Sequence, residues 1–156
     1  MQDTVVQAIE EATLEVFSLM VGMDIVPETL SPEACHELDS NIVSSFTLSG
    51  AVCGTAEVFY TLPLAECIAC HMLQVEPPAQ ENDVLDAAGE LANMIVGNVK
   101  NSLERRLGTI RIGTPTVTLV GRSAAADHDM SVSFRCCENV FTVSVAFEET
   151  PSHRNN

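Results

Sequence analysis

An α+β architecture, with an antiparallel sheet packed against two long helices, follows from three features of this 156-residue chain. Residues 81–107 hold apolar side chains on a 3.6-residue period, the mark of a long amphipathic helix. Shorter stretches on either side alternate apolar and polar residues or concentrate Val, Phe, Tyr and Thr, which favours strands. The order is helix, two strands, short helix, long helix, three strands, so helices and strands are segregated rather than interleaved as βαβ units.

The first helix is predicted over Val5–Met20, because Val5, Ala8, Ile9, Ala12, Val16, Leu19 and Met20 fall on one face and Gly22 can stop it. Val26–Leu38, with Pro27, Ser31 and Pro32, reads as a loop. Ile42–Leu48 and Ala51–Leu62 form a predicted β-hairpin around Ser49-Gly50. Pro63 suits the first turn of a short helix running to about Gln74, and Pro77-Pro78 close it off. The long helix spans about Glu81–Leu107. Gly108 stands just past its end, and Arg105 and Arg106 complement the dipole of its last turn. Strands are predicted at Thr114–Val120, Met130–Cys136 and Val140–Glu148, the last two joined by a turn at Glu138-Asn139. Each half is a helix followed by strands, a pattern that suggests a helix-strand-strand pseudo-repeat. One domain is expected over residues 1–150, with a short polar tail at 151–156.

Composition narrows the function classes. Hydrophobic residues make up 46% of the chain and charged residues 19%, which is the balance of a folded domain. Lys and Arg number 7 against 22 Asp and Glu, a formal net charge of −15. Nucleic acids and anionic membranes both demand clustered cations, so neither is an expected partner. No window approaches 18 consecutive apolar residues, and Met1-Gln2-Asp3-Thr4 opens without a basic segment. Six cysteines include the adjacent Cys136 and Cys137, which cannot point the same way on a strand. Reduced thiols and a cytoplasmic location are the expectation.

The long helix carries an unusual polar stripe. At about 100° per residue, Asp86, Glu90, Asn93, Gly97, Lys100 and Glu104 share a narrow face opposite the apolar one. Asn and Gly are poor helix formers, and a mid-helix Gly costs about 1 kcal/mol against Ala. A face that only needed solvating would use Glu, Lys and Gln instead. Gly97, one turn past Asn93, suits close approach by another backbone.

The string Asp86-Ala-Ala-Gly-Glu90-Leu-Ala-Asn93-Met-Ile-Val-Gly97-Asn-Val-Lys100 resembles the signature helix of the CheC/CheX/FliY chemotaxis phosphatases. Their pattern is Asp or Ser, three residues, Glu, two residues, Asn, with a downstream Pro. Asp86, Glu90, Asn93 and Pro115 match it. The first helix reads Glu10-Glu11-Ala12-Thr13, with Thr where a second Asn would sit, and a single motif resembles the CheX branch. The resemblance implies a CheC-like fold and a phosphatase acting on the aspartyl phosphate of a CheY-like response regulator. It further implies that Asn93 orients the attacking water and that Glu90 docks to the receiver lysine. Asp86, Gly97 and Lys100 would complete the docking face. The protein would need no cofactor of its own, because the receiver domain supplies Mg²⁺, and a homodimer joined through its sheets is expected. A non-catalytic scaffold for a receiver or flagellar switch component is the alternative on the same fold.

Cys67-Ile-Ala-Cys70-His71 competes, because Cys-x-x-Cys-His is the c-type haem attachment pattern. Here it lies inside an amphipathic helix with Leu64, Cys67, Ile68, His71 and Met72 at core-face spacing, and small buried thiols with a partly exposed His71 are the simpler expectation. Cys35-His36 offers no demonstrable convergence with the other thiols into a zinc site. His36, His128 and His153 sit in loop or tail contexts.

Overall fold

The structure, a computed structural model, describes residues 2–28, 42–119 and 130–148. Helix α1 spans Gln2–Val16 and buries Val5, Ala8, Ile9, Ala12, Thr13 and Val16. It continues as a π-turn over Phe17–Val21, closed where the Gly22 amide donates to the Phe17 carbonyl at 2.8 Å. Gly22 ends the turn at φ 77°, a left-handed conformation that glycine adopts without strain. The π-turn alters one sequence expectation. Phe17 and Val21 are buried, but Leu19 and Met20, expected on the core face, are 73% and 55% exposed. An i→i+5 turn inserts one residue into the period, so Val21 takes the inward position that Met20 would hold in a regular helix.

Strand β1, Val26–Glu28, lies where a loop is expected. It pairs antiparallel with β6, Met130–Cys136, in the register Val26↔Arg135 and Glu28↔Ser133. Pro27 is tolerated because β1 is an edge strand. Arg135 clamps it with two bonds to the Glu28 carboxylate, Nε to Oε1 at 2.6 Å and the second through Nη2 to Oε2. Strands β2, Ile42–Gly50, and β3, Gly54–Tyr60, form the expected hairpin, from Ile42↔Tyr60 to Leu48↔Gly54. The Thr61 hydroxyl caps α2, Leu62–Leu73, by accepting from the Leu64 amide at 3.3 Å, with Pro63 in the first turn.

Helix α3 runs Glu81–Leu107, as the periodicity predicts, and the Gly108 amide closes it on Glu104 at 3.2 Å. A strand absent from the sequence reading follows: β4, Ile110–Ile112, pairs with β2. At three residues it is too short to show alternation. Strand β5, Thr116–Leu119, lies within the predicted stretch and also pairs with β2, with Ser45↔Thr116 and Ile42↔Leu119. Strands β6 and β7, Asn139–Phe147, form a second hairpin. Its turn falls at Cys137-Glu138, one residue earlier than expected, with Cys137 at φ 57°. Cys136 is buried and Cys137 exposed, so the two side chains do diverge. The tail from Thr150, Val120 and the whole of the segment 29–38 lie outside the described residues.

The sheet order is β1-β6-β7-β3-β2-β4, with β5 also on β2. Hairpins β2–β3 and β6–β7 join through β3 and β7 at the centre, in the register Val58↔Val143. The strand after α1 adds to the second hairpin, and the strands after α3 add to the first. The pseudo-repeat is therefore a reciprocal exchange of edge strands between halves. Among the described residues, of the strands from Thr114 onward only β5 presents an edge, because β6 and β7 each have two neighbours. One sheet face, carrying Ile42, Phe46, Val58, Tyr60, Phe134, Phe141 and Val143, forms the main core with α1 and α3. Phe17 stacks on Phe141 there, with ring centroids 5.0 Å apart. Among the described residues, no helix is long and apolar enough to cross a membrane.

Candidate functional site

The site is built on a helix fixed from below. The Tyr60 and Ser44 hydroxyls, both buried, donate to the Ala88 carbonyl of α3 at 3.4 and 3.5 Å. Burial holds the Tyr60 phenol above its ordinary pKa, so it remains a donor. Ala87, Ala88, Leu91, Ala92 and Ile95 face the core, which turns Asp86, Glu90 and Asn93 outward.

Beside these three side chains, β5 comes unusually close. A Cβ on Gly89 would stand 3.1 Å from Cγ2 of Val117. The absent side chain therefore lets the β5 segment lie against the helix, and it brings Pro115 alongside the motif. Leu85, Asp86, Gly89, Glu90, Asn93, Pro115 and Val117 together line a shallow cavity of about 310 Å³. The four motif positions that the sequence spreads over 30 residues, Asp86 to Pro115, thus meet at one place. Gly89 is missing from the sequence reading. Its signal was available as a glycine inside a strong helical pattern, one residue before Glu90.

Gly97 belongs to an adjoining cavity of about 320 Å³, which Asn93 also lines together with Leu19, Met20 and Asn98 from the two helices. Among the described residues, no atom beyond Gly97's own stretch of helix comes within 4 Å of a Cβ placed there, so that position is open to an approaching surface. Lys100 lines neither cavity. Its ammonium pairs with Glu104 Oε1 at 3.4 Å, and Glu104 Oε2 accepts from the Ile110 amide at 2.8 Å. The Ile110 amide, and then Lys100, hold the Glu104 carboxyl below the usual range. Lys100 thus serves the junction of α3 with β4.

The chemistry of the site is two carboxylates, a carboxamide and an open approach. Among the described residues, no Lys or Arg lines the cavity of Glu90 and Asn93. A small phosphorylated substrate would meet two carboxylates there, with no cation among the described residues to neutralise its charge. A macromolecule that brings its own cations would not suffer that repulsion.

The cysteine motif lies elsewhere. Of this motif only Cys70 is buried; Cys67 is exposed, against the expectation of a buried thiol, and His71 is exposed. Burial, and then Glu66 and Cys67, raise the Cys70 thiol; burial, with Cys137 next, pushes Cys136 up to about 12. Thiols held protonated are poor nucleophiles and poor ligands. Among the described residues, no three His, Cys, Asp or Glu side chains are grouped to hold a metal ion. Cys35, His36, His128 and His153 lie outside the described residues.

Fold and site define a small α+β protein whose polar helix face is exposed rather than enclosed. The sequence profile of the family described as chemotaxis phosphatase CheX matches residues 42–136, more than half of the chain, and the chain belongs to that family. Among solved structures, the chemotaxis protein CheX from Vibrio vulnificus is similar, at 18% identity, TM-score 0.79, and coverage of 95% of this chain and 99% of that one. CheX from Desulfovibrio desulfuricans matches at 22% identity and TM-score 0.76, covering 92% and 99%. A chain of the CheX-CheY-BeF3-Mg²⁺ complex from Borrelia burgdorferi matches at 15% identity and TM-score 0.70, covering 92% and 97%. Among curated proteins there is no significant match.

Proposed function

We propose that this protein accelerates hydrolysis of the aspartyl phosphate of a CheY-like receiver domain, with Asn93 orienting the attacking water and Glu90 pairing with the receiver's lysine. The observation that carries this reading is the exposed Glu90–Asn93 pair, which shares one open cavity with Pro115. Membership of the CheX family supports it, and so does the Borrelia structure, in which a CheX is complexed with CheY, BeF3 and Mg²⁺.

Phosphoryl transfer to water needs an in-line nucleophile and neutralised charge rather than covalent help. The receiver supplies the Mg²⁺ and the lysine. The Asn93 carboxamide offers one acceptor and two donor hydrogens, enough to fix a water behind the phosphorus. That water's oxygen bonds to phosphorus as the bond to the aspartyl oxygen breaks, releasing the carboxylate and inorganic phosphate. The water's proton passes to phosphate or solvent. Glu90, one turn before Asn93 on the exposed face, sets the docking register, and Asp86 and Gly97 extend the contact. An acidic helix face meeting a lysine agrees in sign with the net charge of −15. Lys100, committed to Glu104, would take part only at the edge. A homodimer using the free edge of β5, in the cytoplasm, completes the reading.

The test is the decay of a phosphorylated CheY-type receiver from the same genome with and without this protein. Decay faster by about 100-fold, about 2.7 kcal/mol of barrier, is expected. Unchanged decay with retained binding would leave a scaffold on the same fold.

A further inference from the structure

We propose that Leu19 and Met20 form an apolar shelf on which the receiver rests while its phosphoryl group is held at Asn93. This inference rests on the phosphatase reading above and names a second contact for the same partner.

The π-turn carries the first argument. On either side of the shelf, Val16, Phe17 and Val21 are 3%, 0% and 5% exposed, whereas Leu19 and Met20 are 73% and 55% exposed. A regular helix would have buried Met20 one turn beyond Val16 and Phe17. The chain instead makes a wide turn, a form that is rare and concentrated at functional sites, and thereby turns two large apolar side chains out. Neither joins the hydrophobic core. The fold itself gains nothing from their exposure.

Position carries the second argument. Leu19, Met20, Gly97 and Asn93 line one cavity of about 320 Å³. Asn93 also lines the cavity of Glu90 and Pro115, so the asparagine stands on the boundary between the polar pair and the shelf. A protein partner covers about 800 Å² on each side, a disc of about 16 Å radius. A receiver centred on Asn93 cannot avoid the shelf. The other polar groups of that cavity are chiefly neutral amides, and its carboxylate, Glu15, accepts from Asn98 Nδ2 at 3.2 Å. The surface is therefore suited to apolar side chains flanking the partner's phosphoaspartate. Glu90 would give the contact its sign and register, and the shelf would give it residence.

The test is a Leu19→Ser/Met20→Ser variant, measured for kcat and KM on phosphorylated receiver and for affinity to the receiver charged with beryllofluoride and Mg²⁺. KM and Kd are expected to rise about tenfold with kcat unchanged. The conservative exchange Leu19→Met/Met20→Leu should keep wild-type values. Unchanged KM and Kd, or a fall in kcat alone, would overturn the proposal. So would conversion of a dimer to monomers in sedimentation, which would show that a second copy covers the shelf. If the wild-type protein does not accelerate decay, the phosphatase reading fails separately and the beryllofluoride titration still decides. Weaker binding by the serine variant then upholds the shelf, and equal binding or no wild-type binding refutes it.

Discussion

Replacing Asn93 with alanine separates catalysis from folding, because the two effects have opposite signs. Asn93 is exposed on α3 and its Cα sits in the middle of a 27-residue helix. Asn is less favourable than Ala in a helix interior by about 0.6 kcal/mol, so the variant should be slightly more stable. For a domain of this size that is a rise in Tm of about 1–2 °C. The kinetic effect should be far larger. Without the carboxamide no group of this chain holds the water, and kcat should fall about 100-fold, about 2.7 kcal/mol. Affinity for a beryllofluoride-charged receiver should stay near wild type, because Glu90 and the apolar shelf remain. Single-turnover phosphate release, calorimetry and a binding titration read the three quantities. Asn93→Asp keeps the shape but removes both donor hydrogens and adds a negative charge facing the phosphoryl group, so its kcat should fall at least as far. Turnover within about threefold of wild type in the alanine variant would refute the assigned role, since one positioning group is asked to supply most of the barrier lowering. A Tm lower by several degrees would mean that Asn93 is structural.

Glu90→Gln keeps volume and removes charge. The receiver Kd should rise about fivefold, the roughly 1 kcal/mol of an exposed ion pair, and the difference should shrink at high salt; a salt-independent change would refute the pairing. Gly89→Ala sets a helix-propensity gain of about 1 kcal/mol against a contact of 3.1 Å with Val117, so Tm should stay within about 3 °C. Turnover should drop as β5 and Pro115 are pushed outward, and adding Val117→Ala should restore it; unimpaired turnover would show that the close approach of β5 is not needed. The Glu104 carboxyl is held below its ordinary 4.5, so its contribution to stability is complete above about pH 4.5 and disappears as pH falls through the depressed folded value. The Tm difference between wild type and Glu104→Gln should accordingly be present at pH 7 and shrink progressively as pH falls below 4.5; a pH-independent difference would assign it to packing.

Long-period signals were legible and short pairings were not. The boundaries of α3 follow from its 3.6-residue period, from Arg105 and Arg106 in the last turn and from Gly108 beyond it. Strands β1 and β4 have three residues each and exist because neighbouring strands offer them an edge, which no local pattern encodes. The exposure of Leu19 and Met20 was hidden for a similar reason. Their spacing fits the core stripe, and only the stacking of Phe17 on Phe141, with Val21 also buried, favours the wider turn. At the site, Asp86, Glu90 and Asn93 were readable because one helix carries all three. The approach of Pro115 depends on β5 pairing with β2 beneath α3, and Gly89 matters only once that strand is in place.

The reciprocal topology raises the question of why one helix and not both should carry the function. Helices α1 and α3 occupy matching places in the two halves, yet the glutamates of α1 lack a carboxamide three residues on. Glu11 is followed by Leu14, Glu15 by Ser18, and Glu10 by Thr13. Thr13 is fully buried, with its hydroxyl bonded to the Ile9 carbonyl at 2.7 Å. An asparagine there would point into the core, so restoring the four-residue pattern on α1 would not restore a second site. The C-terminal turn of α1 does something different: it turns Leu19 and Met20 toward the cavity that Asn93 lines. The two halves have therefore diverged in kind. The second supplies the polar pair and Pro115, and the first supplies apolar surface beside them, which on the phosphatase reading yields one receiver-binding site per chain.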